Sequence, residues 1–449
     1  MDDYIAFLKE KAKLDPPTGL TDIPDLPDVL FDHQRDIVRW ALHRGRAAVF
    51  AQTGLGKSLI ELAWANAIHD ATGVNVLILA PLAVSAQMIR EADKFGLRAK
   101  QCASQAEVSP GVIVTNYQKI QHFDLSTFEG VVLDESSILK AFDGKTRNML
   151  IESCKHMPYR LAATATPAPN DFMELGNHAE FLGVMSYTGM LATFFTHDNG
   201  DTSKWRLKGH GEQEFWKWMC TWSVLLRKPS DLGYDDGAYN LPPLNQSEHI
   251  IPVEGEVAKT LSERLKARRA SIADRVALAA AMTPTDRPFV WWCNLNDEAS
   301  MLADLIPDAV EVRGSDKDAV KEQRLRDFSE GRIRVLITKP KIAGFGMNWQ
   351  HCADTGFVGL NDSFEQVYQA VRRFWRFGQT NPVNVSFIAA STEGAVLENL
   401  RRKEADAERM GEMMVSHMAD LSTQILHGAT RDIMPYNAHT RMELPSWIK

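Results

Sequence analysis

Eight residues, Ala51 to Ser58 (AQTGLGKS), stand between a short apolar β-rich run, AAVF, and a longer amphipathic run, LIELAWANAIHDA. A glycine-rich turn that ends a strand and opens a helix constrains the fold more than any other feature of the chain. Gly54 and Gly56 let the backbone wrap closely around negative charge, and successive N–H groups at the helix N-terminus then face that charge. Lys57 is placed to reach the β- and γ-phosphates of a nucleotide, and the Ser58 hydroxyl to ligate Mg2+. The first position of the usual pattern is Ala51 instead of glycine.

The same strand–helix rhythm continues on both sides of the loop. VNVLILA, GVIVTN, GVVLDE and YRLAATAT alternate with amphipathic runs, which predicts a parallel sheet with crossover helices. The rhythm breaks between about Gly183 and Leu244, a stretch that holds Trp205, Trp216, Trp218 and Trp222 and closes on Pro242–Pro243. Packing within an inserted helical subdomain explains these tryptophans better than stacking on bases. A second α/β rhythm follows, with PFVWWCN, VEVRG, IRVLITK, TGFVGLN and VNVSFIA. The expected order is a leader (1–30), a first lobe (31–183), a helical insertion and linker (184–244), a second lobe (245–395) and a helical tail (396–449). Met410, Met413, Met414 and Met418 fall at helical spacing in that tail, as in a helix packed on the lobes.

Composition excludes several classes. With 45% apolar and 24% charged residues, the 449-residue chain is ordinary globular material, too long for one core. Its longest apolar run, Val76 to Val84, is far short of the ~20 residues that span a bilayer, so a cytoplasmic protein without a membrane partner is expected. Cys102, Cys154, Cys220, Cys293 and Cys352 form no C-x-x-C pair and read as buried reduced thiols. A net charge of −8 argues against a broadly basic surface but leaves room for a narrow basic groove.

Three further features extend the phosphate loop into a nucleotide site. Asp134 and Glu135 end the apolar run of EGVVLDESS, at the strand end where such sheets bind ligands; Asp134 is placed to hold Mg2+ and Glu135 to activate water. In FDHQ, Gln34 can pair with the N6/N7 edge of adenine while Phe31 covers the ring, which selects ATP. In YQAVRRFWRFGQT, Arg373 and Arg376 lie three apart on one helical face and could be donated from the second lobe as arginine fingers.

Taken together, these residues resemble superfamily-two helicases, and within them the Swi/Snf-type DNA translocases. FDHQ is similar to the adenine-reading glutamine motif, AQTGLGKS to motif I, LAPLAVSAQM to motif Ia and DESSILK to motif II, with Ser136–Ser137 in place of Ala-His. LAATATPAPNDFMEL resembles motif III. WSVLLRKPSD and NLPP resemble that branch's linker, VRGS and KIAGFGMNWQ motifs IVa and V, and QAVRRFWRFGQT motif VI. Arg372 stands where the branch usually has an acid and Trp375 where it usually has His.

The resemblance implies two RecA-like lobes with parallel sheets, a helical insertion between them, and an ATP site made of Gln34, Thr53, Gly54, Gly56, Lys57, Ser58, Asp134, Glu135, Gln369, Arg373 and Arg376. It implies that Thr164 and Thr166 couple this site to DNA, and that Pro81, Tyr117, Arg313, Gly314 and Asn348 lie in motifs facing DNA. Lys339 and Lys341 add positive charge beside motif V. The cofactors implied are ATP and Mg2+, and the partner is double-stranded DNA, handled by a monomer. The compact layout is similar to that of bacterial and phage-encoded relatives. A strand-separating or fork-remodelling helicase, and an ATP-gated DNA clamp with little turnover, remain as alternatives.

Overall fold

A computed structural model describes residues 16–140, 144–168, 171–198, 201–343, 347–360, 363–394 and 396–426. The first apolar runs become β1 (Arg46–Ala51), β2 (Val76–Ala80), β3 (Lys100–Gln101), β4 (Val112–Asn116), β5 (Gly130–Asp134) and β6 (Tyr159–Thr164). All five residues of β2, β4 and β5 are buried, which is why those strands read as continuous apolar runs. Helices Lys57–Thr72, Leu82–Lys94 and Lys145–Cys154 cross between them.

The segment after β6 holds helices Leu175–Leu182, Tyr187–Phe194 and Glu212–Trp222. It also holds strands: β7 (Phe195–Asp198) and β8 (Asp201–Leu207) form an antiparallel hairpin, and β9 (Ser223–Leu226) pairs in parallel with β1. The first sheet therefore runs β3-β4-β2-β5-β6-β1-β9, and its outermost strand comes from the segment 184–244 that sequence alone assigned to a helical insertion and linker. Trp216, Trp218 and Trp222 are buried in the apolar cluster against this sheet, so they pack and do not offer faces to bases.

The second sheet is built from β10 (Leu244–Ile251), β11 (Phe289–Trp292), β12 (Ala309–Glu311), β13 (Val335–Thr338), β14 (Asp354–Phe357) and β15 (Val383–Ala390). Its order is β10-β15-β14-β11-β13-β12, all parallel. Apolar clusters cover both faces of each sheet, giving two RecA-like lobes.

Helix Val396–Leu426 joins them. Val396, Leu397 and Leu400 lie in the second lobe's core, whereas Met414 and Met418 lie in the first lobe's. His417 stacks on Trp216 with ring centroids 5.4 Å apart. All five cysteines are buried free thiols. Among the described residues, no helix is long and apolar enough to cross a membrane.

Candidate nucleotide site

A cleft between the lobes is lined by Phe31, Gln34, Thr53, Gly54, Gly56, Lys57, Ser58, Asp134 and Glu135 from the first lobe. Asn348, Gln350, Arg373, Arg376 and Phe377 line it from the second. Residues more than 300 positions apart in sequence thus share one wall. The lobes are closely apposed: a Cβ added to Gly54, at φ +97°, would come within 3.0 Å of the Phe377 backbone nitrogen. Glycine is required there twice over, by the backbone angle and by the neighbour.

Gln34 holds the loop from behind. Its amide nitrogen donates to the Leu55 carbonyl at 3.0 Å and its oxygen accepts from the Phe31 N–H at 3.1 Å. A Cβ on Gly56 would meet that same amide nitrogen at 2.2 Å. One N–H and one lone pair of Gln34 have no partner among the described residues. Phe31, half exposed, packs edge-on against Tyr239 and Phe377 at centroid distances of 5.8 and 6.2 Å, forming an aromatic box beside the loop.

At the phosphate end, Lys57 is buried and donates to the Ala51 carbonyl at 2.9 Å. Asp134 ends β5 and is buried, with Oδ2 lacking any donor. Burial, with the neighbouring charge of Glu135, pushes its carboxyl up to about 7. Glu135 follows in the left-handed region at φ +53°, a conformation costing a non-glycine residue roughly 1–2 kcal/mol and found where a site demands it. The Thr164 hydroxyl reaches Glu135 Oε2 at 3.4 Å, so the TAT segment touches the carboxylate; the Thr166 N–H donates to the Thr164 oxygen at 3.2 Å.

Arg373 and Arg376 do not share a regular helix. Helix Phe364–Val371 ends before them, because the chain tightens into i→i+3 turns, with Arg373 N bonded to Ala370 O at 3.1 Å. Both guanidinium groups nonetheless converge on the Met347 carbonyl, at 3.3 and 3.4 Å. Burial pushes Arg373 down to about 10, and burial with the charge of Arg373 pushes Arg376 down to about 9. Both stay cationic at neutral pH, and Glu135 pulls each of them back up. Gln369 is fully buried and accepts from Arg373 Nη2 at 3.2 Å. It does not line the cleft and is linked to it through that arginine.

The residues expected to face DNA are divided by the structure. Asn348 lines the cleft between the lobes, with its Oδ1 buried and without a partner among the described residues. Tyr117 turns its hydroxyl onto the Asp134 carbonyl at 2.7 Å, where it supports β5. Arg313 is exposed but paired with Glu311 at 2.8 Å. Gly314 has open space around it, touched only by Ile342 at 3.9 Å. Pro81 caps helix Leu82–Lys94. Lys339 donates to Asn296 at 2.6 Å, and Lys341 is exposed.

Sequence reasoning missed Tyr239, Phe377, Gln87, Glu91 and Glu61. Tyr239 lies in the linker and Phe377 between two motif residues, with no pattern to mark either. Gln87 and Glu91 fall one turn apart on the helix after Pro81, which carries them into the cleft. Glu61 sat in a run read as an amphipathic helix, where a single acid carries no signal.

Residues 31–175 match the DEAD/DEAH box helicase family. Over 205 residues the chain is 28% identical to human "DNA excision repair protein ERCC-6-like" and 26% identical to the mouse protein of that name, covering 39% of this chain in each case. It spans only 16% of the length of these relatives. By these matches the chain is similar to the Swi/Snf-type superfamily-two helicases. A solved structure described as "Sulfolobus solfataricus SWI2/SNF2 ATPase core in complex with dsDNA" also aligns, at 15% identity and a TM-score of 0.43, over 91% of this chain and 97% of that one.

The departures from the Swi/Snf-type pattern at Ser136 and Ser137 have visible partners. The Ser136 hydroxyl lies 3.1 Å from His178 Nε2, while Ser137 donates across the lobes to Glu365 at 3.3 Å, beside an ion pair between Lys140 and the same carboxylate. The family match covers the glutamine motif, the phosphate loop and the Asp134–Glu135 pair; the two arginines lie beyond it.

Proposed function

We propose that this protein is an ATP-driven motor that moves along double-stranded DNA. The observation that carries the reading is the closed cleft itself, where Lys57, Ser58, Asp134 and Glu135 of one lobe meet Arg373 and Arg376 of the other. The cleft fits a magnesium nucleotide: Thr53 Oγ1, Asp134 Oδ2 and Arg376 Nε are buried around it without partners, and two left-handed glycines shape the loop.

The roles follow from position. Lys57 leaves the Ala51 carbonyl for the β- and γ-phosphates. Phe31, Tyr239 and Phe377 stack on the base, and Gln34 offers its remaining N–H and lone pair to the adenine edge. When bound, Mg2+ supplies charge neutralisation at the phosphate oxygens, with Ser58 and Asp134 as its holders. Glu135 accepts a proton from the attacking water while the γ-phosphoryl group leaves ADP, and Arg373 and Arg376 stabilise the charge that develops on it. Both arginines are already desolvated, which strengthens their pull on that charge.

The same arginines make closure depend on the γ-phosphate. While it is present, they bind across the cleft; once it is gone, the second lobe loses that attachment. A difference in affinity between two lobe arrangements is what a nucleotide needs in order to shift their populations. If each lobe grips phosphates differently in the two states, the cycle advances the protein along a strand with little regard to base sequence. DNA as the track is supported by the DNA-repair names of the curated relatives and by the Arg376-x-Gly378-Gln379-Thr380 ending of motif VI.

Displacement of a third strand from a triplex tests movement directly. The expected result is ATP-dependent release of a third strand placed on an otherwise intact duplex, abolished by Lys57→Ala. Nucleotide-gated DNA binding with hardly any turnover and no release would identify a clamp instead.

A further inference from the structure

Gln52 stands two residues before Gly54, at the start of the phosphate loop, and three parts of the molecule meet on it. Its backbone N–H donates to Leu226 O at 3.0 Å. With its amide oriented so that both ends find partners, its nitrogen donates to Arg227 O at 2.9 Å and its oxygen accepts from Arg372 Nη2 at 2.8 Å. The loop is thus bonded twice to β9 and its continuation, and once across the lobes to the end of helix Phe364–Val371.

Arg372 is almost fully buried, and its guanidinium lies over Trp375 at 4.3 Å and Tyr368 at 5.1 Å. Trp375 in turn donates its indole N–H to Pro242 O at 2.7 Å, in the linker. Arg227 pairs with Glu408 and Glu412 on helix Val396–Leu426. A continuous polar path therefore runs from that helix through Arg227 and Gln52 to Arg372. Arg372 and Trp375 are the two positions of motif VI where this chain departs from its branch, an acid and a histidine being usual there. Both departures serve this one contact. An acid at 372 could neither lie favourably over two ring faces nor donate to Gln52.

We propose that Arg372 is a positioning residue that, through Gln52, sets the phosphate loop according to the position of the second lobe and linker. This rests on the reading of the cleft as an ATP site. Arg372 lines a separate cavity between the lobes, roofed by helix Val396–Leu426, and does not line the nucleotide cleft; its effect on turnover passes through Gln52. When the second lobe swings away, the bond to Gln52 breaks and Gln52 keeps only its bonds to β9 and its continuation. When the lobe returns, Arg372 re-seats Gln52 and with it Thr53 and Gly54. Such a link makes loop geometry and lobe closure one event, and its loss should slow turnover more than it weakens ATP binding.

The test is a double-mutant cycle on steady-state ATP turnover with the full chain. Arg372→Ala and Gln52→Ala are each expected to lower kcat roughly tenfold while changing the KM for ATP much less, as loss of a hydrogen bond to a charged donor implies. The double variant is expected to lose no more than either single one, because the two residues act as a pair. Arg372→Lys should recover part of the rate, and Arg372→Asp none. If Arg372→Ala melts early, Gln52→Ala, which leaves the Arg372 guanidinium on its two rings, carries the comparison with Arg372→Lys. Additive losses in kcat, or a loss confined to KM, overturn the pairing while leaving the ATP site standing. A wild type that neither binds nor hydrolyses ATP overturns the site, and this inference with it.

Discussion

Among the described residues, neither oxygen of the Glu61 carboxyl meets a donor, and the group it faces is the carboxyl of Asp134 at the end of β5. Glu61 is fully buried, one turn into the helix that opens at the phosphate loop. Burial, reinforced by the charges of Asp134 and Glu135, pushes it well above the usual carboxylate range, and burial with Glu135 pushes Asp134 up to about 7. A proton kept on Glu61 gives Asp134 the donor it lacks.

The sign of the stability effect follows. A carboxyl whose folded pKa lies above its unfolded value binds more protons in the folded chain, so stability falls as pH rises between the two values. For Asp134 that window runs from about 4 to about 7. Glu61→Gln keeps a donor toward Asp134 but cannot ionise. The expected outcome is a nucleotide-free Tm that falls less for Glu61→Gln than for wild type between about pH 5 and about pH 8. Parallel Tm–pH curves for the two proteins would contradict the shared-proton arrangement.

Glu135→Gln should bind ATP normally and fail to hydrolyse it, because an amide cannot take a proton from water. Its backbone sits at φ +53° whichever side chain it bears, so the fold should tolerate the change. Fluorescent-nucleotide binding alongside single-turnover hydrolysis separates the two effects; near-normal turnover removes Glu135 from the role of base.

Arg376→Ala is expected to lower turnover by roughly 10³-fold or more, with ATP affinity changed far less. Its position in the cleft, bonded only weakly to Met347 O at 3.4 Å, leaves the guanidinium available to a phosphoryl group. A defect seen in KM alone would make it a binding residue and no finger.

Gln34→Ala should have two consequences. It removes the bond that holds Leu55 O, so ATP binding should weaken; it also removes the adenine contact, so the preference for ATP over GTP should shrink. Hydrolysis of both nucleotides at the wild-type ratio would leave Gln34 as a loop support alone, with the aromatic box of Phe31, Tyr239 and Phe377 to hold either base.

Much of this site was legible from local pattern. Strand–loop–helix spacing placed Lys57 and Ser58, and an apolar run ending in acids placed Asp134 and Glu135, because buried parallel strands leave continuous apolar runs. β10 was not legible: none of its residues LNQSEHII is fully buried at the sheet edge, so the run lacks that signature. β9 was missed because a four-residue strand with three apolar residues, directly after a helix of the same character, shows no change of period. Glu61 was hidden inside an apolar helix, and Gln52 inside a motif whose glycines and lysine took the attention. Arg372 and Trp375 could be seen as departures, but only the packing of the two lobes shows what they touch.

ATP turnover on a hairpin-free single strand, its duplex and the matching RNA, each at two salt concentrations, tests the motor reading most directly. The duplex is expected to stimulate turnover most. That stimulation should fall steeply with salt, since releasing counterions from several phosphates drives binding, and should vary little with base sequence. Equal stimulation by the single strand, together with unwinding of a forked substrate, would contradict movement along intact duplex and establish a strand-separating helicase in its place.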